Sequence, residues 1–246
     1  MQIMIMTEVS RIRIFILILL CLLSYNTVRS QDIDIKSNSY FYSHKLEPGT
    51  FIHTLGLRLA SLPEDIVESD DAFRAPLISY KAKLGITKSF LAEGSAESNL
   101  ITLHLVLGPR WTYEFDKLNI SLGADAAFFL GAFDQSDFKT KISGWFVYPN
   151  ISAGYLFPNF SISLKSELIF VLDQSVKIGN VNVTSDFKNF SGYSLALFLE
   201  QPLWKDNFLV IGFKTSFTKF YYPMWVTFST FDKFLFIPEI IFSFNL

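Results

Sequence analysis

The sequence predicts an all-β fold, a transmembrane antiparallel up-and-down β-barrel of ten strands. Three observations carry this. First, residues 234–246 read FLFIPEIIFSFNL, with Phe234, Phe236, Pro238, Ile240, Phe242, Phe244 and Leu246 on one parity and Leu235, Ile237, Glu239, Ile241, Ser243 and Asn245 on the other. Alternate residues of a strand face opposite sides, so one face is wholly apolar and the other turns polar towards its end. Second, segments with this alternation recur from about residue 51 onward. Third, the chain is 50% hydrophobic and 17% aromatic, with 27 Phe, yet no stretch after residue 30 is apolar for the roughly 20 residues a spanning helix needs. Only helices and closed barrels satisfy their backbone polar groups within lipid. The apolar parity is therefore assigned to lipid and the polar parity to the lumen.

Residues 1–30 read as a secretory signal peptide. Arg11 and Arg13 precede an apolar run over 14–23, and Val28-Arg29-Ser30 offers the cleavage region. An uncleaved anchor is the alternative. The single cysteine, Cys21, lies inside this run, so a processed chain has no disulfide, cysteine metal site or thiol nucleophile. Residues 31–50 form a polar and aromatic lead-in on the periplasmic side, with a turn at Pro48-Gly49 and room for a short plug or extra strand near 40–44. Residues 51–246 form the barrel.

The first strand spans 51–61, with Leu55, Leu57 and Leu59 outward and Arg58 inward. A loop with an acidic run over 64–71 follows. The second, 76–84, turns Ile78, Tyr80 and Leu84 out and Lys81 and Lys83 in. The third, 89–98, carries Glu93 and Glu97 inward. The fourth, 100–115, turns Leu103, Leu105, Leu107, Trp111, Tyr113 and Phe115 out, and His104, Arg110 and Glu114 in. After a turn at Asp116-Lys117, the fifth strand, 118–130, puts Asp125 inside; a polar loop, 131–143, follows. The sixth, 144–157, turns Trp145, Tyr155 and Phe157 out. Beyond Pro158-Asn159 the seventh, 160–172, has Lys165 and Glu167 inside, and a polar loop occupies 173–190. The eighth, 191–200, turns Tyr193 out and ends at Glu200. The ninth, 208–219, has Phe217 out and Lys214 in, and the tenth is 234–246, with Glu239 in.

Short and long connections broadly alternate, and an even count returns both ends of the barrel to one side, as membrane barrels require. Merging the second and third strands and leaving the first outside gives the competing count of eight. Trp111, Tyr113, Phe115, Tyr155, Phe157 and Trp204 form one aromatic girdle and Trp145, Tyr193 and Phe217 the other, as amphipathic rings at a lipid interface do.

The cleavable-looking leader, the alternating strands and the terminal FIPEIIFSFNL together resemble the bacterial outer-membrane β-barrel proteins as a broad class. The resemblance covers about residues 51–246. It implies residence in the outer membrane, contact with outer-membrane lipid, and recognition of the last strand by the barrel-insertion machinery. That class usually ends in an aromatic residue, whereas this chain ends Phe244-Asn245-Leu246.

Fourteen titratable groups belong to the predicted lumen: Arg58, Lys81, Lys83, Arg110, Lys165 and Lys214 against Glu93, Glu97, Glu114, Asp125, Glu167, Glu200 and Glu239, with His104. Such near-balance points to mutual pairing and not to a ring of one sign. The tight turns set registers: Arg110 opposite Gly123 and diagonal to Asp125, Asn150 opposite Glu167, Ser152 opposite Lys165. A two-residue link at Ser98-Asn99 sets Glu93 opposite His104. That last pair is the candidate for general-base chemistry, with a lumen ion pair as the alternative.

The net charge of −2 gives no basis for nucleic-acid binding. The motif vocabulary of phosphate loops, metal-binding helices and nucleophile elbows is absent, so no cofactor or metal is assigned. The aromatic loop over 220–231, with Phe220, Tyr221, Tyr222, Met224, Trp225, Phe228 and Phe231, either extends the girdle or forms a surface for lipid, glycan or a partner protein. The expected function is a structural or binding barrel, or a narrow pore, with a charge-filled lumen. A membrane-embedded hydrolase using His104 and Glu93, and an exported soluble lipid-binding barrel, are the alternatives.

Overall fold

The computed structural model describes residues 35–62, 74–135, 138–178, 181–184, 189–204, 207–225 and 233–246. The expected signal peptide, the acidic run over 64–71 and Phe228 and Phe231 lie outside the described residues, as does the side chain of Trp204. Among the described residues there are eleven strands: β1 (Phe51–Ser61), β2 (Arg74–Thr87), β3 (Phe90–Ser98), β4 (Thr102–Phe115), β5 (Leu118–Gln135), β6 (Phe138–Leu156), β7 (Ser161–Ile178), β8 (Val181–Thr184), β9 (Phe190–Trp204), β10 (Asn207–Thr218) and β11 (Leu235–Asn245). β8 is a short hairpin return on β7. The other ten close into a barrel, each antiparallel to its sequence neighbours, with β1 against β11 and β6 against β7 completing the ring.

Register partners trace the stagger of the ring. The path Phe115, Leu118, Tyr155, Ile162, Leu199, Ile211, Phe242, Leu57, Ile78, Ser98, Leu103 makes one circuit. It returns to β4 twelve residues from its start, since 115 less 103 is 12. Ten strands with that stagger tilt by about 40° and enclose a narrow interior that side chains can fill.

The two parities part as lipid demands. Outward residues are apolar and exposed: Leu107 is 66% accessible, Ile78 62% and Phe244 48%. Inward, Arg110 is 2% accessible, Glu200 0% and Asn119 0%. The same division holds round the ring, with Leu55, Leu105, Leu164 and Phe213 exposed and Arg58, Asp125, Ser194 and Glu239 buried. Trp111, Tyr113, Phe115, Trp145, Tyr155, Tyr193 and Phe217 are all exposed on this outer face, and Phe157 is half-exposed.

The polar segments 131–143 and 173–190 are not simple loops. β5 and β6 continue to a two-residue connection between Gln135 and Phe138, and β7 continues to Ile178 before turning back into β8. Polar residues there read as loop, but a strand that has risen past the hydrocarbon no longer needs an apolar face.

Candidate functional site: the lumen

The lumen is filled in three layers. At the end carrying both barrel termini, a short helical turn α1 (Ile35–Asn38) leads into residues 39–46, which enter the barrel as a plug. Tyr40 and Tyr42 are fully buried and Phe41 stacks on Phe198, ring centroids 3.9 Å apart. Tyr40, Phe41 and Leu46 share one apolar cluster with Ile52, Leu91, Val210 and Ile241. Glu200 anchors the plug: its two carboxylate oxygens accept the backbone N–H groups of Tyr40 at 2.7 Å and Tyr42 at 2.6 Å, and Asn245 donates to it at 3.1 Å. Glu114 accepts from the Lys45 amide at 2.8 Å and pairs with Lys36 at 3.1 Å. The plug then leaves through a Glu47–Thr50 turn, closed by Thr50 N–H to Glu47 O at 3.0 Å. Pro48 takes the first central position and Gly49, at φ +85°, the second, which a type II turn requires.

Burial raises the Tyr40 and Tyr42 phenols of this plug and lowers its imidazole. His44 is pushed down to about 4 by loss of solvent; the Tyr42 carbonyl and Glu114 oppose the shift, while Lys83 and Lys36 add to it.

The middle layer is ionic. Arg110 makes a two-pronged bridge to Asp125, at 2.6 and 2.7 Å, and its Nε lies 3.0 Å from Glu93. Two glycines make room. A Cβ at Gly123 would lie 2.2 Å from Arg110 Nη1, and one at Gly108 would lie 2.1 Å from Asp125 Oδ1. Lys83 donates to the Tyr40 carbonyl at 2.5 Å, tying this layer to the plug. Lys165 and Lys214 both hold Glu167, at 2.8 and 3.0 Å. Arg58 bridges Glu97 at 2.8 Å and Glu239 at 2.9 Å, and Lys81 approaches Glu97 at 3.4 Å. The space left between these groups is about 100 Å3 on the loop side and about 50 Å3 beside the plug, which is room for a few waters.

Above them lies an aromatic layer. The chain after β10 folds back inward through a 3-10 turn over Tyr222–Met224. Tyr221 and Trp225 are buried, and Trp225 packs with Phe129, Ile142, Phe146 and Val171, with Phe220 and Tyr222 against the same cluster. The Tyr222 ring stacks on His104 at 4.0 Å and its hydroxyl donates to Glu97. These four aromatics therefore neither extend the outer girdle nor form an outward surface. The inner faces of β5 and β6 are apolar at this height, and burying the aromatics there removes them from water.

All fourteen predicted lumen groups meet partners within 4 Å in these layers, and the turn-derived registers Arg110–Gly123, Asn150–Glu167 and Ser152–Lys165 are those observed. The register at β3–β4 is different. His104 stands opposite Glu97, and Glu93 stands opposite Gly108. The link is longer than two residues because Asn99 builds a turn of its own: its Oδ1 accepts the Ile101 amide at 3.0 Å and its Nδ2 donates to the Pro223 carbonyl at 2.8 Å. His104 and Glu93 are thus not a pair. His104 Nδ1 lies 3.7 Å from Glu97 and Nε2 3.2 Å from the Tyr148 hydroxyl. Among the described residues no serine, threonine or cysteine side chain is hydrogen-bonded to His104; its ring partner is the Tyr148 hydroxyl. No group of metal-ligating side chains occurs among the described residues.

Sequence reasoning missed Tyr148, the inward placement of Tyr222 and the anchoring role of Glu200. A signal existed for the first two: residues 126–130 and 145–148 are apolar on both parities, the mark of a strand buried on both faces.

No known protein-family model matches the chain, and no characterised protein matches it in sequence. Among solved structures, it is similar to the translocator domain of the autotransporter NalP from Neisseria meningitidis (9% identity over 80% of this chain and 88% of that one, TM-score 0.42). It is also similar to outer membrane phospholipase A from Escherichia coli (10% identity, 82% and 97%, TM-score 0.39) and to neisserial surface protein A (14% identity, 80% and 96%, TM-score 0.28).

Proposed function

We propose that this chain is an integral outer-membrane barrel that does not conduct, and that acts as a structural or binding protein whose lumen is closed from within. The observation that carries this reading is the filling of both lumen ends by the chain's own segments. The plug over 39–46 fills one end, and Phe220, Tyr221, Tyr222 and Trp225 fill the other, with paired charges between them. An apolar belt around the whole outer wall supports the membrane setting, because soluble monomers rarely expose a continuous apolar patch beyond a few hundred Å2. It weighs against a soluble lipid-binding barrel, which keeps its apolar face inside. The inward charges support a packing role: each carboxylate of the middle layer has a cationic partner within 4 Å, so none is left to select passing ions.

Reconstitution of the purified full chain into planar bilayers tests this. The expected record shows no stepwise openings at any voltage the bilayer survives. Reproducible unitary currents would overturn the closed-lumen reading.

A further inference from the structure

The outer wall carries one feature that an inert lipid face does not need. β5, β6 and β7 rise above the short link between β3 and β4, and a groove of about 600 Å3 opens on their outward side. It is lined in order by Leu103 and Leu130, then Ser143 and Ser175, then Lys141 and Lys177. Register makes this sequence a vertical gradient. Leu130 is opposite Ser143, Ser143 is opposite Ser175, and Lys141 is directly opposite Lys177. Below them Trp145 packs on Phe128, centroids 4.7 Å apart, at the aromatic band. The lysines sit four residues beyond Trp145, about 13 Å along the strand.

Two like charges directly opposite on one face repel. The other cross-strand neighbour of Lys141 is Ala132. Among the described residues neither lysine has an acidic partner within 4 Å. The nearby Lys139 differs, being paired with Asp134 at 3.2 Å. Among the described residues the remaining charge on this face is Asp173, opposite Trp145 at the bulge in β7 and four residues below Lys177.

We propose that this groove holds the phosphate-bearing headgroup of a membrane lipid. Lys141 and Lys177 clamp the phosphate, the Ser143 and Ser175 hydroxyls donate to its oxygens or to the adjoining ester, and Leu103 and Leu130 receive the first part of the acyl chain. An anion between the lysines turns their repulsion into shared attraction, with charge-assisted bonds, at the height where lipid phosphates lie. A free phosphate would use the lysines and leave the leucines idle; the apolar floor favours the lipid source. The proposal rests on the membrane reading above.

The test is native mass spectrometry of the full chain in neutral detergent doped with phosphatidylglycerol or lipid A. Phosphatidylcholine and inorganic phosphate serve as comparisons. The wild-type chain retains the anionic lipid, and inorganic phosphate does not displace it. The K141Q/K177Q pair weakens retention about 30-fold, whereas K139Q leaves it unchanged. Thermal unfolding gives a second readout with a reversing sign: K141Q raises the melting temperature without anionic lipid and lowers it with the lipid present. Equal retention by the double variant, or full displacement by inorganic phosphate, overturns the proposal. Failure of the membrane reading is seen separately, as a chain that stays monomeric in solution without detergent.

Discussion

The carboxylate of Glu200 accepts the backbone N–H of Tyr42 at 2.6 Å, across 158 residues of chain. With the Tyr40 amide at 2.7 Å on its other oxygen, this one side chain satisfies two buried donors of the plug. Hydrogen bonds to a charged acceptor contribute about 1.5–3 kcal/mol each. Glu200→Ala is therefore expected to release residues 39–46 at a local cost of roughly 3 kcal/mol or more, while β9 stays paired. Hydrogen exchange should show faster exchange at 39–46 with β9 and β10 still protected.

The plug is also expected to respond to pH. His44 has a folded value of about 4 against an ordinary 6.5. Below pH 6.5 the released segment binds a proton that the docked one does not, so docking weakens as pH falls from 6.5 towards 4 and is strongest above 6.5. The whole effect is about 3 kcal/mol at most. Proteolysis of the plug should accelerate across that window in the wild type. In His44→Gln the acceleration should be lost.

Removing members of the ionic layer should have unequal effects. Arg110 holds both Asp125 and Glu93, so Arg110→Met leaves buried Asp125 with no cation in contact and Glu93 with Lys83 alone, 3.9 Å away. Asp125→Leu leaves Arg110 with Glu93. Breaking a buried pair from one side costs about 3–5 kcal/mol, and Arg110→Met is expected at or above the top of that range and Asp125→Leu near the bottom. The double variant should be more stable than Arg110→Met alone. Urea-driven unfolding from lipid vesicles gives the order.

The outer face is expected to reject charge according to depth. Leu107, in the middle of β4, should lose about 2–4 kcal/mol on replacement by Arg, whereas Phe115, beside the turn, should lose about 1 kcal/mol or less. The same unfolding titrations compare the two, and equal costs would mean that this wall does not cross a bilayer.

Much of the barrel was legible because lipid imposes one rule on every outward position. The parities of Leu103, Leu105 and Leu107 against His104, Arg110 and Thr112 could be read locally, and tight turns then carried the register across two hairpins, β4–β5 and β6–β7. The register failed at β3–β4 because Asn99 replaces a backbone partner with its own side chain, lengthening the link by chemistry that alternation does not report. The candidate pair of His104 and Glu93 fell with it. The plug was legible only as one of two options near 40–44, and its docking was not. Its anchor, Glu200, lies 158 residues from Tyr42, and nothing local in QDIDIKSNSYFYSHKLEPGT says which carboxylate awaits it. The inward fold of Phe220, Tyr221, Tyr222 and Trp225 had a partial trace, in the apolar inner faces of β5 and β6.

The central claim is that this barrel presents its apolar wall to lipid and keeps its polar wall within. Nitroxide accessibility in liposomes tests it most directly, with labels at Leu107→Cys and at Val106→Cys in a Cys21→Ser background. The account predicts that the label at 107 collides with dissolved oxygen and not with a water-soluble nickel chelate, while the label at 106 meets neither freely. Free collision of the chelate with position 107 would contradict it.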